Sequence, residues 1–346
     1  MKIVYGSRHH GHGGGMEMNY NRFVPMFEKP ERMDQILARL KEVSFGTLIE
    51  PDAHGLAAVH RIHDPGYVKF LETAWDRWQK EVGVEGFVTA YMFGMRGMKQ
   101  KPGDSLYAQL SCYTFDVCVP IVAGTWEAIT DAVDATLTAQ KIVQGGERSA
   151  FALCRPPGHH ASQDLAGGYC FINNAAVAAQ AFLDQGASRV AILDVDYHHG
   201  NGTQRIFYER PDVLYVSIHG RPEEEYPFLM GFADERGDAA GEGYNLNLPL
   251  PKGTAWNTYG PALERAIAAV KDYRPDVLVV SLGADAYKLD PVSAFKLESE
   301  DFSEIGRMIA GIDLPTLFVM EGGYAVEALG INIVNALAGY SAARPA

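Results

Sequence analysis

Five short apolar runs separated by helix-like stretches constrain the fold of this chain more than any other feature. The runs are SAFALC (149–154), RVAILDVD (189–196), VLYVSIH (213–219), DVLVVSLGA (276–284) and PTLFVMEG (315–322). Between them lie NNAAVAAQAFLDQG, GTQRIFYER, YGPALERAIAAVKDY and DFSEIGRMIAGI. Strands that are apolar on both faces belong in a parallel sheet covered by helices on each side. No Pro/Ser-rich linker divides the chain and no internal repeat is visible. The expected fold class is therefore α/β: a single domain over residues 1–346, with an open, mostly parallel sheet and helices on both faces.

Upstream of the first run, PERMDQILARLKEV places Met33, Ile36, Leu37 and Leu40 on one helical face. DPGYVKFLETAWDRW repeats the pattern with Tyr67, Phe70, Leu71, Ala74, Trp75 and Trp78. These stripes read as core. From Val82 to Gln109 the pattern lapses, so an inserted loop is expected at about 82–109, long enough to suggest an interfacial role. Met1–Gly6 reads as an opening strand rather than a leader, and no run approaches the roughly 18 apolar residues of a membrane span.

With 47% hydrophobic and 21% charged residues, the composition is that of a globular protein. The formal charge of −13 disfavours nucleic acid, whose binding needs basic surface to release counterions. It suits cationic ligands. Cys112, Cys118, Cys154 and Cys170 form no C-x-x-C pair and are expected to be buried free thiols, which fits a reducing cytoplasm.

In sheets of this kind ligands sit beyond the carboxyl ends of the strands, and the ionisable residues gather there. SAFALC leads into Arg155-Pro156-Pro157-Gly158-His159-His160. RVAIL leads into Asp194, Asp196, His198 and His199, LVVSLGA into Asp285, and LFVMEGG into Tyr324. Asp196, His198 and Asp285 have the character of ligands for one divalent metal. A D-x-H pair on extended chain points both side chains the same way, and a third ligand from another strand leaves positions open for chemistry. Zinc suits this O/N/O set best, while iron(II) and manganese also match by ligand type. The bland alternative has Asp196 and His198 capping the next helix or pairing with each other; Asp285 at a parallel position argues against it. Two carboxylates cancel the charge of a dication, so bound water is less acidified than beside three histidines. A separate base is then wanted, and His159-His160 on a Pro-Gly-constrained loop offers it. Asp194 is the candidate partner orienting His159, and Asn201 the neutral partner of His160. The Tyr324 hydroxyl could donate to an oxyanion beside the metal.

Five motifs, CRPPGHHA, GGYCFINNAAVAA, ILDVDYHHGNGTQ, SLGADAY and EGGY, together resemble the histone deacetylase superfamily, in particular its bacterial acetylpolyamine amidohydrolase and histone deacetylase-like amidohydrolase branch. They occur in family order between residues 154 and 324. The resemblance implies an open eight-stranded sheet of the arginase/deacetylase type. It assigns zinc to Asp196, His198 and Asp285, the paired catalytic roles to His159 and His160, and carbonyl polarisation to Tyr324. It makes Tyr169 an aromatic tunnel wall beside the Gly168 backbone, with Tyr226 as the opposite wall. It assigns a structural potassium ion to Asp194, Asp196, His198, Ser217 and Ile218. The implied reaction hydrolyses an N-acetyl amide to acetate and a free amine, His159 or His160 acting as base and His160 protonating the amine. Many family members carry an acid where this chain has Asn201, which implies a less basic His160. The 82–109 insertion matches a dimerising loop that narrows the entrance, so a homodimer is expected, and Glu17 and Asp116 are the candidate acidic lining for a small cationic acetylated amine. Acetyl-lysine in peptides or proteins is the runner-up substrate. A two-manganese ureohydrolase would want D-x-H-x-D, which His199 and Gly200 do not supply. A silent acetyl-amine binder is disfavoured because the ligands, both histidines and Tyr324 are all present.

Overall fold

The computed structural model describes residues 1–19, 21–94 and 100–343. The strands are β1 (Lys2–Val4), β2 (Met16–Asn19), β3 (Arg22–Pro25), β4 (Thr47–Ile49), β5 (Ser149–Ala152), β6 (Val190–Asp194), β7 (Val213–Gly220), β8 (Asn245–Leu250), β9 (Val277–Leu282) and β10 (Thr316–Met320). The α-helices are α1 (Glu31–Glu42), α2 (Pro65–Glu81), α3 (Leu106–Tyr113), α4 (Thr125–Gln144), α5 (Asn174–Asp184), α6 (Asn201–Phe207), α7 (Trp256–Tyr273), α8 (Ser299–Ala310) and α9 (Val326–Ala343). Eight strands form one sheet in the order β4-β1-β5-β10-β9-β6-β7-β8. Every pairing in it is parallel, and β2 and β3 make a separate antiparallel hairpin.

The Val/Ile/Leu runs are buried because helices cover both sheet faces. α4 and α5 pack together and reach β1, β5, β10, β6 and β9, while α7, α8, α9 and α1 form a second row, α7 lying on β6, β7 and β8. β6, touched by α5 and α7, is buried at every position. None of the helices among the described residues is long and apolar enough to cross a membrane.

The structure departs from the sequence reading in three places. Four strands, β5, β6, β9 and β10, stop short of their apolar runs, β6 ending at Asp194 and β9 at Leu282, and the residues beyond them turn into site-forming loops. The 82–109 insertion ends earlier than expected, because α3 starts at Leu106. Residues 95–99 of that insertion lie outside the described residues. Among the thiols, Cys154 and Cys170 are buried, whereas Cys112 and Cys118 are only partly so; all four are free.

Candidate active site

Four neighbouring strands, β5, β10, β9 and β6, deliver the ionisable residues to one end of the sheet. One ligand atom from each of Asp196, His198 and Asp285 lies within 4.8 Å of the other two. This convergence does not come from the period-two alternation of an extended strand. Asp196 and His198 follow β6 on a bend rather than on extended chain. The bend is held by side-chain acceptors: the Asp196 amide donates to Asp194 Oδ1 at 3.2 Å, and the His198 amide to Asp196 Oδ1 at 2.9 Å. The Tyr197 amide donates to Asp285 Oδ1 at 2.7 Å and the Gly322 amide to Asp196 Oδ2 at 2.8 Å. Gly322 is required by closeness, since a Cβ there would lie 2.6 Å from both Asp196 Oδ2 and Asp285 Oδ2.

His198 Nδ1 sits 2.9 Å from Asp285 Oδ2 and 3.4 Å from Asp196 Oδ1. Burial opposes charging this imidazole, but the two carboxylates outweigh it and raise its pKa well above 6.5. Burial and then the neighbouring Asp196 charge push Asp285 up. Two fully buried acids facing one imidazole demand a positive charge between them, and this donor set fits a divalent cation. A second convergent set, His159, Cys170 and Glu321, fits less well. Burial raises the Cys170 thiol well above its usual range, and Glu321 Oε2 already accepts from the Gly158 and His159 amides at 2.7 and 3.1 Å.

The paired histidines differ in their partners. His159 Nδ1 is 3.1 Å from Asp194 Oδ2, which also accepts from the Tyr215 hydroxyl at 2.9 Å. Burial works against a charged His159, yet Asp196 and Asp194 carry its pKa up to about 10. His160 Nδ1 lies 2.7 Å from Asn201 Oδ1. There burial, reinforced by His159 and His198, lowers the pKa well below 6.5.

A cavity of about 680 Å³ opens onto His160, His198 and Tyr324. Tyr169 forms one wall, its ring 5.4 Å from that of Tyr324. Tyr226 stands edge-on to His160 at 5.0 Å and forms another wall. Gly168, at φ +52°, lies between them, where a Cβ would come within 2.4 Å of the His160 ring. Glu17 reaches the cavity but is nearly buried, accepting from the Tyr169 hydroxyl at 2.6 Å. Asp116 does not line the cavity, contrary to expectation. It stands behind the wall, accepting from the Tyr226 hydroxyl at 2.5 Å and from the Gly168 and Cys118 amides at 2.9 and 2.8 Å. Burial costs this carboxylate its hydration and raises its pKa, and the three donors offset that cost. Ser217 is the register partner of Asp194 across β6 and β7, beside Ile218, and its hydroxyl lies 2.7 Å from His219 Nδ1.

Several residues missed in the sequence support this site. Fully buried Arg32 donates to the carbonyls of Gly323 and Glu321 at 2.7 and 2.6 Å, fixing the turn before Tyr324. Glu28 Oε1 bridges Arg32 and Arg155 at 2.9 and 2.6 Å. Asp290 Oδ2 accepts from the Tyr324 and Ala325 amides at 2.6 and 3.0 Å. Glu225 and Lys252 line the cavity without having been anticipated. No motif marked them; a charged residue at a helical core position, such as Arg32, was the one available signal.

The profile of the histone deacetylase domain matches residues 26–339. Acetylpolyamine amidohydrolase 1 of Pseudomonas aeruginosa is 53% identical over 344 residues, covering 99% of each chain. Acetylpolyamine amidohydrolase of Mycoplana ramosa is 44% identical over 339 residues, covering 98% of this chain and 99% of its own. The crystal structure of an acetylpolyamine aminohydrolase from Burkholderia pseudomallei superposes with a TM-score of 0.94 at 37% identity, covering 99% of both chains.

Proposed function

The chain belongs to the histone deacetylase family, and on that premise we propose that it is a metal-dependent amidohydrolase releasing acetate from N-acetylated cationic amines. Acetylpolyamines such as acetylputrescine and acetylspermidine are the favoured substrates, ahead of acetyl-lysine in peptides. One observation carries the reading: the Asp196/His198/Asp285 set and the paired histidines lie at the floor of one aromatic-walled cavity, onto which His160, His198 and Tyr324 open directly. Relatives 44% and 53% identical over nearly their whole length bear the acetylpolyamine amidohydrolase name.

Asp196, His198 and Asp285 would hold one ion, zinc in this proposal with iron(II) as the alternative, and when bound it supplies a Lewis acid for water and carbonyl. The rest falls to the chain's own groups. His160, neutral at pH 7, donates from Nδ1 to Asn201 and so turns its free ring nitrogen to the cavity as a base. It takes the proton of the attacking water and returns it to the departing amine. His159, oriented through Nδ1 by Asp194 Oδ2 at 3.1 Å, supplies positive charge beside the developing oxyanion. Burial keeps the Tyr324 phenol protonated, so it donates to the same oxygen. Tyr169, Gly168 and Tyr226 confine the acetylated arm, while Glu17 and Asp116 brace the two tyrosines.

Asp194, Asp196, His198, Ser217 and Ile218 are assigned to a structural potassium ion. A homodimer through 82–109 is supported by exposed Val84, Tyr91 and Met92 in its described part. The free thiols suit the cytoplasm. The test is kcat/KM for acetylputrescine, acetylspermidine and an acetyl-lysine peptide, measured side by side. Higher values for the polyamines support the proposal, whereas a preference for the peptide assigns the site to acetyl-lysine.

A further inference from the structure

We propose that Glu225 is the seat for the distal ammonium of the substrate, and that Lys252 occupies this seat until substrate displaces it. The inference rests on the deacetylase reading and sharpens it to N-acetylated diamines and longer polyamines. Of the acids around the cavity, Glu17 is nearly buried beneath the Tyr169 hydroxyl and Asp116 lies behind the wall. Glu225 differs from both. It lines the same cavity as His160, His198 and Tyr324, and its side chain retains 15% exposure.

Its carboxylate already binds a primary ammonium. Lys252 Nζ lies 2.8 Å from Glu225 Oε1, and the Lys252 side chain is 53% exposed. An alkylammonium is the group that an acetylpolyamine carries at its free end, so Lys252 marks the chemistry the seat accepts. The seat is held by its surroundings. The Glu225 amide donates to the Arg221 carbonyl at 2.9 Å, and the Glu225 carbonyl accepts from the Phe228 amide at 2.9 Å. The stem lies across Gly220, where a Cβ would come within 2.9 Å of both Glu225 Cγ and the Tyr197 ring. Tyr197 in turn packs edge-on to His198 at 4.9 Å. The carboxylate is thus fixed to the loop that carries the metal-ligand candidates, while its resident cation hangs on a long exposed side chain.

Exchange of one ammonium for another costs little Coulomb energy, so the pair acts as a selectivity filter. Tails that bring a positive charge take over the carboxylate; neutral tails meet an ion pair they cannot replace. The experiment compares N-acetylcadaverine with N-acetylpentylamine, which share the acetyl arm and chain length but differ in the distal charge. Wild type, Glu225→Gln and Lys252→Gln are assayed for acetate release at low ionic strength. Glu225→Gln should lower kcat/KM for N-acetylcadaverine by roughly threefold to fivefold, mainly through KM, the scale of a partly exposed charge pair. For N-acetylpentylamine the change should stay under about twofold. Lys252→Gln should lower KM for the charged substrate only, and added salt should shrink both effects. Equal loss on both substrates in Glu225→Gln, or no loss on either, overturns the inference while leaving the deacetylase intact. Lack of wild-type turnover of both amides, and of acetylputrescine, instead overturns the reading on which it rests.

Discussion

Tyr324 meets the cavity at the end of a Gly-Gly turn, its ring 4.8 Å from the Arg32 guanidinium. The role proposed for it is a single hydrogen bond that strengthens as the carbonyl oxygen gains charge. Tyr324→Phe removes that donor and nothing else, so kcat should fall by about 10²–10³-fold while bound metal, read by elemental analysis, stays at the wild-type level. Unchanged turnover removes the phenol from the chemistry. Asn201 gives a test with a sign. In the base role proposed for it His160 acts in its neutral form, so the rate should decline as pH falls through its pKa. Asn201→Asp replaces an amide by a carboxylate 2.7 Å from Nδ1, favours the imidazolium and raises that pKa. The acid limb of kcat/KM should therefore move to higher pH. A limb that stays in place would show that another group takes the proton.

At the scale of elements, α1 shows what periodicity reads and what it misses. Its apolar stripe of Met33, Ile36 and Leu40 is buried as expected, but the same face buries Arg32. That charge is tolerable because Glu28 is shared with Arg155, and the guanidinium also ties down the turn before Tyr324. Burial alone would raise the Glu28 pKa; Arg155 and Arg32 reverse this and hold it below 4.5. A depressed folded-state pKa contributes stability that is present above the unfolded value and lost as pH falls through the folded one. Glu28→Gln should cost about 3–5 kcal/mol at pH 7, since it leaves two buried guanidinium groups sharing no carboxylate. Thermal unfolding from pH 3 to pH 7 checks both points: the variant should melt lower, with a shallower acid decline than wild type. Strands with both faces buried were legible as continuous apolar runs. α4 was not, because its Ala, Thr and Asp positions are buried on nearly every side and leave no one-sided stripe. β8 was missed because Asn245 and Asn247 point inward to Gln204. The convergence of Asp196 and His198 was legible from motif spacing, although the bend producing it was not. The Glu225–Lys252 pair carries no motif, since its partners are brought together only by two loops.

Across the molecule, the adjacent parallel strands β6 and β9 bring Asp196, His198 and Asp285 to one point, a donor set that would hold a divalent ion. Metal binding should then be linked to folding as well as to turnover, because only the folded chain assembles the donor set. Chelation should lower the melting temperature of wild type but not that of Asp285→Asn, whose site lacks one charge. The decisive measurement is a zinc titration of chelated protein, with acetate release from N-acetylputrescine followed at each addition. Activity should be absent at the start, rise linearly and level off at one zinc per chain. Full acetate release in the chelated protein, or an identical titration curve for Asp285→Asn, would contradict a metal centre built from Asp196, His198 and Asp285.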